Sequence, residues 1–183
     1  TKAELLALGE VLRAHPQVMI ATDDMYEAIL WAAEPFSNIL NACPDLYDRT
    51  IVLNGVSKAY AMTGWRIGYC AGPEWLIAAM ENVQSQSTSN PNSIAQVAAE
   101  TALNGDQQPI RDMVKVFKQR HDAVVDLLNA MPGVECLPAE GAFYAFPSFH
   151  KVIERMGFAN DLELADFLIE KAGVAYVPGS AFG

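Results

Sequence analysis

Long apolar runs are missing from this 183-residue sequence, and none approaches the ~20 residues that a helix needs to cross a bilayer. No secretory signal pattern opens it either. Basic residues are scarce: 12 Lys and Arg stand against 22 Asp and Glu, for a net charge of −10. That balance argues against a nucleic-acid partner and against an anionic membrane surface. Cysteine is almost absent, and Cys43, Cys70 and Cys136 lie far apart and odd in number. They read as three buried, reduced thiols in a reducing cytoplasm rather than as a disulfide framework. The three histidines, His15, His121 and His150, are equally isolated, so surface or capping roles are expected of them and no metal site is. There is no internal repeat and no low-complexity tract.

What remains is an ordinary globular composition, 51% hydrophobic and 19% charged, enough for one large domain or two small ones. Residues 3–14 place Leu5, Leu8 and Leu12 on one helical stripe, and His15-Pro16 ends that helix. QVMIAT, 17–22, is a short apolar run expected of a strand buried on both faces, followed by the polar Thr22-Asp23-Asp24. MYEAILWAA then predicts a helix, and a loop or short helix runs through Pro44. RTIVLN, 49–54, and GWRIGYCAG, 64–72, read as two further strands, and PEWLIAAMENVQ, 73–84, as a helix with Pro73 at its start. Strands alternating with helices predict an α/β fold: part of a mostly parallel sheet with helices on both faces. Ligands in such sheets gather at the carboxyl ends of the strands, where Asp23 and Ser57-Lys58 fall.

SQSTSNPNS, 85–93, is a polar loop, and helices follow over about 94–104 and 109–131. Beyond Pro132-Gly133, VECLP and GAFYAFPSF read as short strands, 161–171 as a helix and GVAYVP as a last strand. The division expected is 1–115, the end of a large domain, and 116–183, part of a smaller α+β domain, joined by the long helix. Thr1 falls inside a helical pattern and Gly183 just after the loop PGSAFG, so the chain reads as a piece of something longer.

The chemistry concentrates in NGVSKAYAMTGWRIGY, 54–69. A lysine amine attacks a carbonyl to form an imine; a carboxylate holds a heteroaromatic nitrogen protonated. A tyrosine hydroxyl bonds a phenolate oxygen, and an arginine clamps a phosphate. Pyridoxal phosphate asks for all four groups from several strand ends, and Lys58, Asp23, Tyr26 and Arg66 supply them. Singly, each has a plain structural reading. Most lysines are solvated; Asp23-Asp24 is as readily the cap of a following helix; Tyr26 suits core or rim; Arg66 suits an ion pair.

Together, the residues carry a resemblance. GVSKAYAMTGWRIG resembles the cofactor-lysine motif of class I pyridoxal-phosphate aminotransferases, with small residues just before the lysine and Arg66 eight positions after it. TDDMYE resembles that family's Asp-x-x-Tyr element. PGSAFG and EGAFYAFPSF look like its C-terminal domain and STSNPNSIAQ like its interface loop, so the likeness spans the chain. It implies that Lys58 holds the cofactor as a Schiff base and shuttles the proton at the substrate α-carbon. It further implies that Asp23 pairs with the pyridinium nitrogen, Tyr26 with the ring oxygen and Arg66 with the phosphate, while Ser57 adds a phosphate hydrogen bond. Many relatives have a phosphate-binding serine three positions before the lysine, where this chain has Gly55.

The resemblance implies an aminotransferase, of aspartate or aromatic type, acting on an amino acid and a 2-oxo acid as a cytoplasmic homodimer. The glycine-rich phosphate loop, the aromatic stacked on the ring and an asparagine of that family would precede Thr1, and its substrate-carboxylate arginine would follow Gly183. On that ground the isolated chain is expected not to transaminate. Two other readings keep the cofactor: a carbon–sulfur lyase of the same fold, and a non-catalytic sensor module of a regulator.

Overall fold

A computed structural model describes residues 1–183, which fall into two compact units, Thr1–Val114 and Lys115–Gly183. In the first unit, α1 (Lys2–Ala14) begins one residue after Thr1, whose side chain and Glu4 form a reciprocal capping box. The buried position of α1 is Gly9; Leu8 of the expected stripe is half exposed. Leu5 and Leu12 pack with Ile20 against a cluster of Ile39, Cys43 and Leu46, supplied by α2 (Ile39–Ala42) and the 3-10 turn Pro44–Arg49. Gly9 lets that approach happen, since a Cβ there would stand 2.2 Å from Cys43 Sγ. At the other end of α1, the Arg49 guanidinium donates to the carbonyls of Leu12, His15 and Val18. Its planar fork suits the carbonyls that gather at a helix end, and it ties the exit of α1 to the residue before the strand that starts at Thr50.

The sheet has three strands, β1 (Ile20–Asp23), β2 (Thr50–Gly55) and β3 (Gly68–Ala71), in that order. β1 and β2 are parallel, with Asp23 opposite Leu53, and α2 with its 3-10 turn lies in the crossover between them. β2 and β3 are antiparallel, with Gly55 opposite Gly68. The expected mostly parallel sheet therefore holds for one pairing of the two. A parallel return would need a crossover of a dozen or more residues, usually through a helix. The link from β2 to β3, residues 56–67, holds no α-helix, only turns and the 3-10 turn Thr63–Trp65.

MYEAILWAA is not a helix. Met25 N–H bonds Asp23 Oδ1, Glu27 N–H bonds Asp24 O and Ile29 N–H bonds Tyr26 O, a run of tight turns that delivers Ile29 fully buried. α3 (Glu74–Ser85) and α4 (Ser93–Asn104) lie within a residue or two of expectation, and Ala95 and Ala99 of α4 pack against Val56 and Ile67.

The boundary between the units falls inside α5 (Gln108–Asn129). The second unit contains α6 (His150–Met156), which the sequence pattern does not announce, and α7 (Asp161–Ala172), which it does. The three strands expected here do not form. VECLP and GAFYAFPSF meet only in one bridge, Glu135 to Ser148, and 174–178 enters no ladder. Side chains take the backbone groups that a partner strand would take. Asn129 bonds both N–H and C=O of Cys136, and Tyr176 O–H donates to Asp161 O. His121 corrects the expectation of a surface or cap role: it is buried, and its Nε2 accepts from Ala139 N–H at 2.8 Å. His15 is the C-cap of α1, and His150 is exposed beside Glu154. All three cysteines are free, Cys43 and Cys136 buried and Cys70 half-buried. No helix is long and apolar enough to cross a membrane.

Gly9→Ala is expected to lower the melting temperature, although alanine favours a helix by about 1 kcal/mol. Overpacking costs about 1–3 kcal/mol and outweighs it. Thermal unfolding of Gly9→Ala, Cys43→Ala and the double variant checks this, and the double variant should recover most of the loss.

Candidate functional site

The sheet presents its polar residues at one end. Asp23 closes β1, exposed, and accepts from Met25 N–H at 3.2 Å. Tyr26 lies in the next turn, half-buried. Ser57 and Lys58, also half-buried, sit three positions or fewer beyond the end of β2, in a turn closed by Ala61 N–H on Lys58 O. Buried residues anchor that turn on both sides: Val56 is 0% and Ala59 6% exposed, and Val56 belongs to the cluster with Ile67, Ala95 and Ala99. The backbone that carries the lysine is thus anchored by buried neighbours. Its Nζ lies 6.0 Å from the centre of the Tyr26 ring, within cation–π range.

Arg66 reaches the same end of the sheet by a different route. Because β3 runs antiparallel and Gly68 pairs with Gly55, the residues just before β3 lie beside those just after β2. Arg66 is exposed, has left-handed backbone angles (φ 55°, ψ 44°) and donates from one guanidinium nitrogen to Thr63 O at 2.9 Å. A non-glycine residue there costs about 1–2 kcal/mol, and such strain gathers at functional positions. Arg66 lines a cavity of about 510 Å³ together with Gly64, Trp65, Thr88, Asn90 and Asn92. Lys58, Asp23 and Tyr26 do not line that cavity.

Neighbouring groups set the local electrostatics. Glu27 accepts from Asn54 Nδ2 at 2.7 Å. Burial, and then the Glu27 charge, push the hydroxyls of Tyr60 and Tyr69 above the usual phenol range. Both tyrosines therefore stay neutral and able to donate at ordinary pH; Tyr60 does so to Gln107 Oε1. Gly55 leaves no room for a side chain. A Cβ there would stand 2.9 Å from Ile67 O, 3.1 Å from Gly68 Cα and 3.2 Å from Met25 Sδ. A serine three positions before the lysine does not fit this close pairing of β2 with β3.

Asp24, Asn38, Asn54 and Glu27 were not singled out by the sequence as site residues. Asp24 entered only as a possible helix cap, yet no helix begins there. Its carboxylate is 4% exposed and accepts from Thr22 Oγ1 and Asn38 Nδ2, both at 2.7 Å. The Thr22 partner is local, but nothing in the sequence marks Asn38 as the other.

One end of the sheet thus bears a half-buried amine beside a phenol, an exposed carboxylate and, lining its own cavity, a guanidinium. This donor set suits a ligand with a carbonyl, a basic ring nitrogen, a ring oxygen and a phosphate.

The family model described as "Aminotransferase class I and II" matches residues 1–183. An "Aspartate/prephenate aminotransferase" of Nitrosomonas europaea is 59% identical over 98% of this chain and 47% of its own length. An "Aspartate aminotransferase" of Geobacillus stearothermophilus is 45% identical, over 100% of this chain and 46% of its own. Among solved structures, the aspartate aminotransferase of Rhizobium meliloti superposes with a TM-score of 0.93 at 46% identity, covering 100% of this chain and 47% of that one. The aromatic aminotransferase of Pyrococcus horikoshii gives 0.89 at 32% identity, covering 100% and 48%. The chain spans about half the length of the curated relatives it matches.

Gly55→Ser is expected to destabilise the protein by about 1–3 kcal/mol and to weaken rather than strengthen phosphate retention. Chemical denaturation with an inorganic-phosphate titration of both forms checks both parts.

Proposed function

The chain belongs to the class I and II aminotransferases, a family dependent on pyridoxal 5′-phosphate, and from that premise we propose that the whole protein transfers an amino group between an amino acid and a 2-oxo acid. The observation that carries the reading for this chain is Lys58 Nζ 6.0 Å from the Tyr26 ring, at the sheet end that also bears Asp23. We further propose aspartate as the amino donor and prephenate among the 2-oxo acid acceptors, after the names of the relatives from Nitrosomonas europaea and Cereibacter sphaeroides. The three strands then belong to a larger, mostly parallel sheet of the cofactor domain, residues 1–115, and residues 116–183 to a small C-terminal domain.

Bound pyridoxal phosphate supplies an electrophilic carbonyl and a protonated ring that accepts electron density from the substrate α-carbon. Lys58 would provide the amine that holds that carbonyl, and the same amine would move the proton at the substrate α-carbon. A base held this close works by proximity as much as by basicity. Asp23 keeps the ring nitrogen protonated, and Tyr26 donates to the ring oxygen. Arg66 neutralises the phosphate and Ser57 adds a hydroxyl to it; Gly55 adds nothing. Loop 85–93, whose Thr88, Asn90 and Asn92 line the same cavity as Arg66, is proposed to meet the partner subunit of a homodimer. Free cysteines fit a reducing cytoplasm.

Reductive trapping tests the cofactor reading. With pyridoxal phosphate and borohydride, label is expected on Lys58 alone of the six lysines, and none in Lys58→Ala. Label spread over exposed lysines, or absent, overturns it. In the whole protein, conversion of the amino acid should require added 2-oxo acid; conversion without it would favour a lyase.

A further inference from the structure

We propose that Asp24 is a positioning residue that orients Asp23 and Tyr26 toward the cofactor by gripping strand β1 and the cap of α2 at once, an inference that rests on the proposed cofactor site. Asp24 lies between the two residues proposed to touch the ring. It is 4% exposed, whereas Asp23 beside it is exposed. A buried carboxylate is costly unless its oxygens are bonded. Here each oxygen has one donor, Thr22 Oγ1 on Oδ1 and Asn38 Nδ2 on Oδ2.

These partners belong to different elements. Thr22 is in β1, immediately before Asp23. Asn38 is the N-cap of α2: its Oδ1 accepts from the N–H groups of Leu40 and Asn41, which leaves its amide nitrogen for Asp24. The backbone of Asp24 is used as well, its N–H donating to Leu53 O and its C=O accepting from Glu27 N–H. Four bonds therefore converge on one residue, two from the sheet and two from the chain between β1 and α2. With Asp24 pinned, Asp23 immediately before it is fixed at the strand end, and the turn after it carries Tyr26 toward Lys58. Neither donor is a cation, so the role is that of a hydrogen-bond acceptor and not of an ion pair.

That distinction makes the idea testable. Asparagine has the same shape; its oxygen can accept from Asn38, and its amide can donate to the Thr22 hydroxyl, which rotates to accept. Alanine strands both partners. The measurement is a pH titration of the visible absorbance of cofactor-loaded protein, together with hydrogen exchange at the Glu27 amide without cofactor. In Asp24→Ala the titration midpoint should move by about one pH unit and cofactor affinity should fall about tenfold, the scale of one hydrogen bond. Glu27 exchange should accelerate. Asp24→Asn should restore all three to near wild type.

Should Asp24→Ala not fold, Thr22→Val and Asn38→Ala, which each remove one donor, are expected to give a partial version of the same shifts. Wild-type behaviour of Asp24→Ala overturns the proposal. So does an Asp24→Asn that fails as badly as alanine, which would assign the residue a role through charge. If wild-type protein takes up no cofactor, the cofactor site itself fails and this role with it, and that failure is recognised because it needs no substitution.

Discussion

The parallel pairing of β1 with β2 is the constraint on which the site depends. It sets Asp23 opposite Leu53, so that the last residue of one strand and the turn leaving the other emerge side by side. Strand side chains alternate, so a slip of one residue would turn Asp23 to the opposite face and bury what is now exposed. Contacts from outside the sheet hold the register. Arg49, next to the start of β2, grips the carbonyls that end α1 and lead into β1. Asp24 N–H extends the ladder by one bond beyond β1. Parallel strands cannot be joined by a hairpin, which is why α2 and its cluster with α1 are needed between them.

The antiparallel return of β3 is the second half of the geometry. A parallel β3 would have put its leading residues at the far end of the sheet, away from Lys58. Running back along β2 instead, it brings Arg66 to the lysine's end. The turns of the link make this costly: Ala61 and Arg66 both take positive φ values, 52° and 55°. Burial of Val56, Ile67, Ala95 and Ala99 offsets that strain: Tyr60 and Met62, on either side of Ala61, pack against this cluster, and Ile67, which follows Arg66, belongs to it. Core and site are in this sense one construction, with alternate residues of a single segment assigned to packing and to chemistry.

The second unit is held together differently. Its rings meet in pairs, Phe117 with Phe143 and Phe158 with Phe167, each with centroids 5.3 Å apart. Its irregular backbone is satisfied by side chains: His121 on Ala139, Asn129 on Cys136 and Asp161 on Ser180. Fixed polar contacts of this kind specify a loop's path where a ladder would otherwise do so. The Ser180 N–H holds the Asp161 carboxyl below the usual carboxylate range. Its contribution is therefore present at neutral pH and lost only as pH falls through that lowered value.

Local signals were enough for much of this. The helical stripes of α1, α3, α4, α5 and α7, the apolar runs of β1 and β2, and the lysine motif with its arginine eight residues on are all short-range patterns. They depend on the order of neighbours in the chain, and so they determined element type, the candidate residues Lys58, Asp23, Tyr26 and Arg66, and the family resemblance. Other features were decided only by tertiary structure. β-propensity reports a residue fit for a half-buried pleat, not the presence of a partner, so 134–138, 141–149 and 173–178 read as strands and formed none beyond one bridge. The direction of β3 goes with a connection that holds no α-helix. The burial of Asp24 against Asn38, of His121 beneath Ala139 and of Gly9 against Cys43 joins residues distant in sequence. Such contacts leave no periodic trace, because each is set by where two separately formed elements meet.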